Sequence, residues 1–307
     1  MGKNKTIDKK EIFAVVIMAF FFILIHGLAL LITGTFEEAN MQAFENPDNP
    51  INIAYIFIIM MAFTVLILLI AKFWKKQLIQ VIILGAIGYT AAYVFYPLFN
   101  SIVTTSLSIV FSSIFAVIII VILYKYPEWY VIDFCGIIVG AGAIAIFGIS
   151  LGVLLVIILL VGLAIYDAIS VYKTKHMIDL ADTVMDLKLP VLLVVPKIRK
   201  YSLIKETQRL KEKLEKGVER EAFFMGLGDI VIPGILVVAT YSNIDNAFPI
   251  ALSVLIGTLI GFTILMTFVI KGKPQAGLPC LCGGAIAGYV VSSLVLFGEL
   301  RGLTFSF

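Results

Sequence analysis

The sequence predicts an all-α polytopic membrane protein with nine transmembrane helices, its N-terminus inside and its C-terminus outside. Three observations carry that prediction. The first is composition: the 307 residues are 61% hydrophobic and only 14% charged, far from the averages of water-soluble domains. A core in water cannot hide that much apolar surface, so lipid must be the solvent. The second is the recurrence of uninterrupted apolar runs close to the ~20 residues that a bilayer-spanning helix needs. The third is the sidedness of the basic residues.

The runs fall at 12–34, 51–71, 77–98, 102–124, 129–148, 151–172, 221–240, 248–270 and 276–298. Each reads as a helix, because a helix satisfies its own backbone polar groups in hydrocarbon and an open strand does not. None shows the alternation of a lipid-facing barrel strand. The first run is too long for the apolar part of a signal peptide and no small-residue cleavage site follows it, so it is expected to be retained. With the N-terminus inside, Lys3, Lys5, Lys9, Lys10, Lys72, Lys75, Lys76, Lys125, Lys271, Lys273 and the whole 173–220 segment face the cytoplasm. Only Arg301 of the 23 basic residues falls outside. That asymmetry fits the positive-inside rule and the odd span count. The net charge of +3 therefore reports topology and gives no reason to expect nucleic acid.

The organisation expected is a six-helix membrane part at 1–172, a cytoplasmic loop at 173–220 and a three-helix membrane part at 221–307. Within the loop, Leu203, Leu210, Leu214 and Val218 share a helical stripe and Glu212–Lys216 is a favourable pair, which reads as a solvated or headgroup-lying amphipathic helix. Upstream, Val191, Leu192, Leu193, Val194 and Val195 lie between Pro190 and Pro196, too short a run to span. An ordinary interfacial loop is the preferred reading. The alternative is an extended strand whose edge pairs with an incoming peptide. Cys135, Cys280 and Cys282 form no C-x-x-C pair, so neither a metal site nor a disulfide framework is expected. Glycine pairs at Gly136/Gly140, Gly257/Gly261 and Gly284/Gly288 fit close helix packing.

Four ionisable side chains interrupt the spans: His26, Asp133, Asp167 and Asp229. Asp133 lies one turn from Trp129 and Tyr130 and is expected to reach water or headgroups. His26 is expected to bond a neighbouring helix. Asp167 and Asp229 differ. The first lies six residues before Lys173, roughly 9 Å of helix. The second lies eight residues after Glu221, roughly 12 Å on the same count. Their helices run in opposite directions, so both acids enter from the cytoplasmic face to similar depth. Two facing carboxyls there cannot both ionise cheaply and are expected to share a proton. That is aspartic-protease chemistry; a cation or proton site and two unrelated structural acids remain the rivals on spacing alone. Gly226, three residues before Asp229, is expected on the same helical face and reads as room for water and a peptide, and Gly228 reads as allowing close helix contact or local unwinding. Pro233-Gly234 reads as a weak point in the helix beyond the acid.

These residues resemble the presenilin family of intramembrane aspartyl proteases, especially its archaeal homologues. Tyr166-Asp167 matches the Tyr-Asp of the family's sixth helix, and Gly226-Leu227-Gly228-Asp229 its Gly-x-Gly-Asp in the seventh. Pro279-Cys280-Leu281, preceded by Leu278, stands where the family has Pro-Ala-Leu, with cysteine replacing alanine. The resemblance implies Asp167 and Asp229 as the catalytic pair and the other motif residues as shaping the substrate site. It implies that no cofactor or metal is used and that transmembrane helices are cut inside the bilayer of a prokaryotic cell. It also implies nicking of the loop between the sixth and seventh helices during maturation, and a homo-oligomer is among the assemblies to expect. Pro279 is expected to remove a backbone donor and leave a carbonyl free. An ion-coupled transporter using the same acids is the alternative function.

Overall fold

The computed structural model describes residues 9–73, 76–174, 192–197, 201–203, 221–271 and 275–303. Nine helices and one small sheet are present among them. Six helices come first: α1 (Lys9–Glu38), α2 (Ile51–Phe73), α3 (Lys76–Asn100), α4 (Thr105–Lys125), α5 (Trp129–Ser150) and α6 (Val153–Ile169). A π-helical turn, Ser170–Thr174, extends α6. Strands β1 (Leu192–Pro196) and β2 (Ala222–Gly226) follow, then α7 (Leu227–Asn243), α8 (Phe248–Ile270) and α9 (Leu278–Phe297).

Among the described residues, seven of these helices are long and apolar enough to cross a membrane; Leu227–Asn243 is a shorter apolar helix, and α2 runs 23 residues, with Ile51–Ile67 as its described apolar stretch. The outer surface is greasy: Leu31, Ile102, Val117, Ile165 and Val295 are all exposed. Such a surface is stable against acyl chains and unstable against water. The expected span at 221–240 needs correction. Its first residues form β2, and the helix starts only at Leu227. The expected loop at 191–195 needs correction too, since Leu192–Pro196 is a strand. Val191 and the predicted amphipathic helix at 204–220 lie outside the described residues.

Three apolar clusters hold the bundle. The central one joins Phe22 and Ile25 of α1, Ile144 of α5, Ile230 of α7, Phe262 of α8 and Leu281 of α9. A second packs Leu160 of α6 with Leu236 of α7, Val254 of α8 and Tyr289 of α9. The third sits under the sheet and includes Ile119 of α4, Ile132 and Cys135 of α5, Val194, Tyr201, Leu203 and Ala222.

The tightest helix pair is α8 with α9, and its cause is legible in the glycines. A Cβ on Gly257 would collide with the Gly284 carbonyl, and one on Gly261 with the Cys280 carbonyl. Gly284 and Gly288 face the backbone of α8 in the same way. With no side chains between them the two backbones touch, which is how helices associate where lipid competes for every apolar contact. The pairing sets the N-terminus of α9 against the site described next.

Candidate active site

Asp167 and Asp229 line one cavity of about 180 Å³, with Val171, Phe223, Phe224, Met225, Gly226 and Gly277 among its walls. Asp167 projects from the last turn of α6 and is buried. The helix tightens just after it: the Ser170 N–H meets the carbonyls of both Asp167 and Tyr166 before the π-helical turn begins. Such turns are rare and collect at functional sites.

Asp229 arrives differently from the expectation. It is the third residue of α7, with Gly226 as N-cap. From that position a carboxylate folds back over the start of its own helix, as the acid of a capping box does. Gly226 therefore does not lie on a helical face below Asp229. It ends β2, and a Cβ there would stand 3.3 Å from Asp229 Oδ2. Gly228 is also corrected: a Cβ on it meets nothing within 4 Å, so it makes no close helix contact.

The start of α9 joins the two acids. The Leu278 N–H donates to Asp167 Oδ2 at 3.0 Å. One residue earlier, a Cβ on Gly277 would lie 3.3 Å from Asp229 Oδ2. Adjacent residues thus stand beside both carboxyl groups, one by a hydrogen bond and the other by having no side chain. Pro279 sits in the first turn of α9, where a missing N–H removes no helical bond. The carbonyl expected to be freed is therefore not freed. What the proline does is start the helix so that Leu278 offers its N–H to Asp167. Cys280 is half-buried, and its carbonyl lies against Gly261. Leu281 is fully buried in the central cluster. Tyr166 faces outward at 46% exposure and is not part of the cavity wall.

The sheet borders the cavity through β2. The strands are antiparallel, with Leu193 opposite Met225, Val194 opposite Phe224 and Val195 opposite Phe223. The Lys197 N–H bonds the Glu221 carbonyl at 2.8 Å. Alternation then puts the backbone groups of 193, 195, 223 and 225 inside the ladder and those of 194, 222 and 224 on the outer edges. The outer edge of β1 is occupied, because the Val194 N–H donates to Asp133 Oδ1 at 2.8 Å. No described residue bonds the main chain of Ala222 or Phe224 on the outer edge of β2. Among the described residues, the outer edge left without a partner is that of β2, whose residues line the cavity, and not the Leu192–Val195 edge expected from the sequence.

Asp133 is likewise corrected. It is buried at 3% exposure and reaches neither water nor headgroups. Sequence reading missed its role because its partner is a main-chain N–H 61 residues away. Further contacts secure the same segment. Glu128 accepts from the Ser202 hydroxyl at 2.6 Å and the Leu203 N–H at 3.1 Å. Lys197 pairs with Glu11 at 3.3 Å and lies over the Phe223 ring. Burial pushes the Tyr201 hydroxyl above its ordinary range, with Glu221 and Glu128 adding to the effect.

His26 bonds a neighbouring helix as expected: its Nε2 lies 2.9 Å from the Ile230 carbonyl. Gly234 provides the space, since a Cβ there would run into the imidazole. Pro233-Gly234 does not interrupt α7, which continues to Asn243.

Apolar helices surround one cavity lined by two aspartates, the arrangement that an intramembrane aspartate protease requires. A sequence profile described as signal-peptide peptidase, presenilin aspartyl protease matches residues 18–298, and the chain belongs to that family. Two solved structures of a presenilin family intramembrane aspartate protease are similar to it. One, in space group C222, is 32% identical over 92% of this chain and 99% of its own, with a TM-score of 0.68. The other, in P2, is 34% identical over 91% and 96%, with a TM-score of 0.66. No curated protein matches the chain.

Proposed function

We propose that Asp167 and Asp229 are the catalytic pair of this intramembrane aspartyl protease, which is of the Gly-x-Gly-Asp type, and that together they hydrolyse peptide bonds within transmembrane helices. The observation that carries the reading is the start of α9 at the wall of one cavity, where Leu278 bonds Asp167 and Gly277 leaves room for the Asp229 carboxyl. Family membership favours hydrolysis over cation transport.

The cavity's 180 Å³ has room for several waters at about 30 Å³ each, but not for a helix. A water between the carboxyls loses a proton to the ionised one while its oxygen attacks the scissile carbonyl carbon. The protonated carboxyl gives its proton to the carbonyl oxygen, producing a gem-diol. Collapse breaks the C–N bond: the ionised carboxylate takes a proton from a gem-diol hydroxyl as the C=O re-forms, and the protonated carboxyl gives its proton to the leaving amine. Base and acid are roles of the pair, not of one residue.

A substrate helix must unwind before its carbonyl is reachable, and the freed backbone groups then need partners. The outer edge of β2 supplies them beside Asp229. The nine-span, N-in and C-out topology, in a prokaryotic cell membrane, puts this site near the cytoplasmic face.

The test is cleavage of a single-span substrate by the purified protein in lipid vesicles. Asp167→Asn and Asp229→Asn are each expected to lower cutting by at least about 10³-fold without loss of helix content. Cutting by either variant at the wild-type rate overturns the assignment.

A further inference from the structure

Asp133 holds a position that stability alone does not explain. It is buried, and while Oδ1 accepts from Val194, Oδ2 has no hydrogen-bond partner among the described residues. A buried acceptor left unpaired is destabilising, and an aliphatic side chain packs such a site without that cost. The residue opposite is equally specific. The Val194 N–H is the outward donor at the centre of β1, between two residues whose backbones bond β2.

A two-stranded ribbon has two edges, and an unpaired edge accepts any extended chain that reaches it. Asp133 closes the edge of β1. It also fixes the ribbon to α5, where Gly136, three residues along, leaves space for Leu193 at 3.4 Å from its would-be Cβ. The ribbon leads without a break from β2 into Gly226 and the first turn of α7, where Asp229 stands. Any slide or tilt of β1 therefore moves the pairing edge of β2 relative to the carboxyl pair. Because strand pairing has a two-residue period, a one-residue slip presents a different peptide bond to the acids.

We infer that Asp133 is a positioning residue for proteolysis: by accepting the Val194 N–H it locks the ribbon, leaves β2 as its open edge among the described residues, and so fixes which bond of an extended substrate is cut. The inference rests on the catalytic pair proposed above.

Two measurements test it. The first needs no catalysis: amide hydrogen exchange of the full-length protein in lipid, read at Val194. Protection comparable to that of Leu193 and Val195 is expected; free exchange at Val194 overturns the latch. The second is mass analysis of the fragments from a single-span substrate. Asp133→Leu is expected to spread cutting over neighbouring bonds and to raise KM roughly fivefold, the size of one hydrogen bond, with a smaller change in kcat. Asp133→Asn keeps an acceptor oxygen and is expected to restore the single cut. A wild-type cut pattern from Asp133→Leu, at whatever rate, overturns the positioning role. Failure of the catalytic pair is seen separately, as cutting by the Asp167→Asn protein, while the exchange result stands on its own.

Discussion

Asp229 is crowded on two sides by residues that have no side chain to offer. A methyl on Gly226 or on Gly277 would stand 3.3 Å from Oδ2, closer than a carbon and an oxygen normally rest, so the carboxyl must turn or the backbone must shift. A displacement of a few tenths of an ångström matters where two carboxyls and a water must align. Gly226→Ala and Gly277→Ala are each expected to reduce kcat about tenfold, equivalent to ~1.4 kcal/mol of barrier, at unchanged helix content. Gly228 is the internal contrast. Its would-be Cβ meets nothing and it sits inside a helical turn, so Gly228→Ala is expected to raise thermal stability, by up to about 1 kcal/mol on helix propensity. Steady-state kinetics and thermal unfolding of the three variants separate the glycines that give the acid room from the one that only loosens the helix. The acids themselves were legible in the sequence, because a charge in an apolar run has few innocent explanations. The crowding was not, since Gly277 lies 48 residues from Asp229 in sequence and only the packing of α9 against α6, α7 and α8 brings it there.

Strand β2 was hidden for a different reason. AFFMG is apolar and continuous with the helix that follows, and a run of that length gives no periodicity that tells a buried strand from a buried turn of helix. β1 was half legible, because its flanking prolines disfavour helix, but its partner was not visible. The two strands make sense only together. Leu193 and Val195 bond inward to β2, whereas Phe224, a residue of the cavity wall, points its N–H and carbonyl away from β1. Proline at each kind of position therefore has a different expected effect. Leu193→Pro removes a ladder bond and is expected to lower kcat and raise KM together while the helices stay intact. Phe224→Pro leaves the ladder in place and removes only the outward donor; KM is expected to rise roughly fivefold with kcat little changed. Equal kinetic profiles for the two variants would show that substrate does not add to the β2 edge.

At the scale of the whole molecule, the question is how many helices cross. Seven described helices are long and apolar enough, α2 has 23 residues, and α7 is the short one. α7 has 17 residues, or ~25 Å at the helical rise, short of the ~30 Å hydrocarbon core. The preceding five-residue β2 adds ~16 Å of extended chain, so strand and helix together cover the bilayer where the helix alone falls short. That arrangement is tolerable only because the strand's backbone is paired with β1 or lines a cavity rather than facing lipid. Two surface positions read the crossings of α2 and α7 independently. If α2 crosses, Lys125 at the end of α4 faces the cytoplasm; if it does not, Lys125 is outside. With the first six helices crossing, Glu299 after α9 is outside only if α7 also crosses. Both side chains are exposed, while Cys135 and Cys282 are buried and Cys280 half-buried, so a new cysteine is readily distinguished. In intact cells a membrane-impermeant maleimide is expected to label Glu299→Cys and Glu45→Cys, in the α1–α2 loop, but to label Lys125→Cys only after the membrane is permeabilised. Labelling of Lys125→Cys in intact cells would remove α2 from the count. Protection of Glu299→Cys would remove α7, and with it the antiparallel approach of α6 and α7 that brings Asp167 and Asp229 to one face of the membrane.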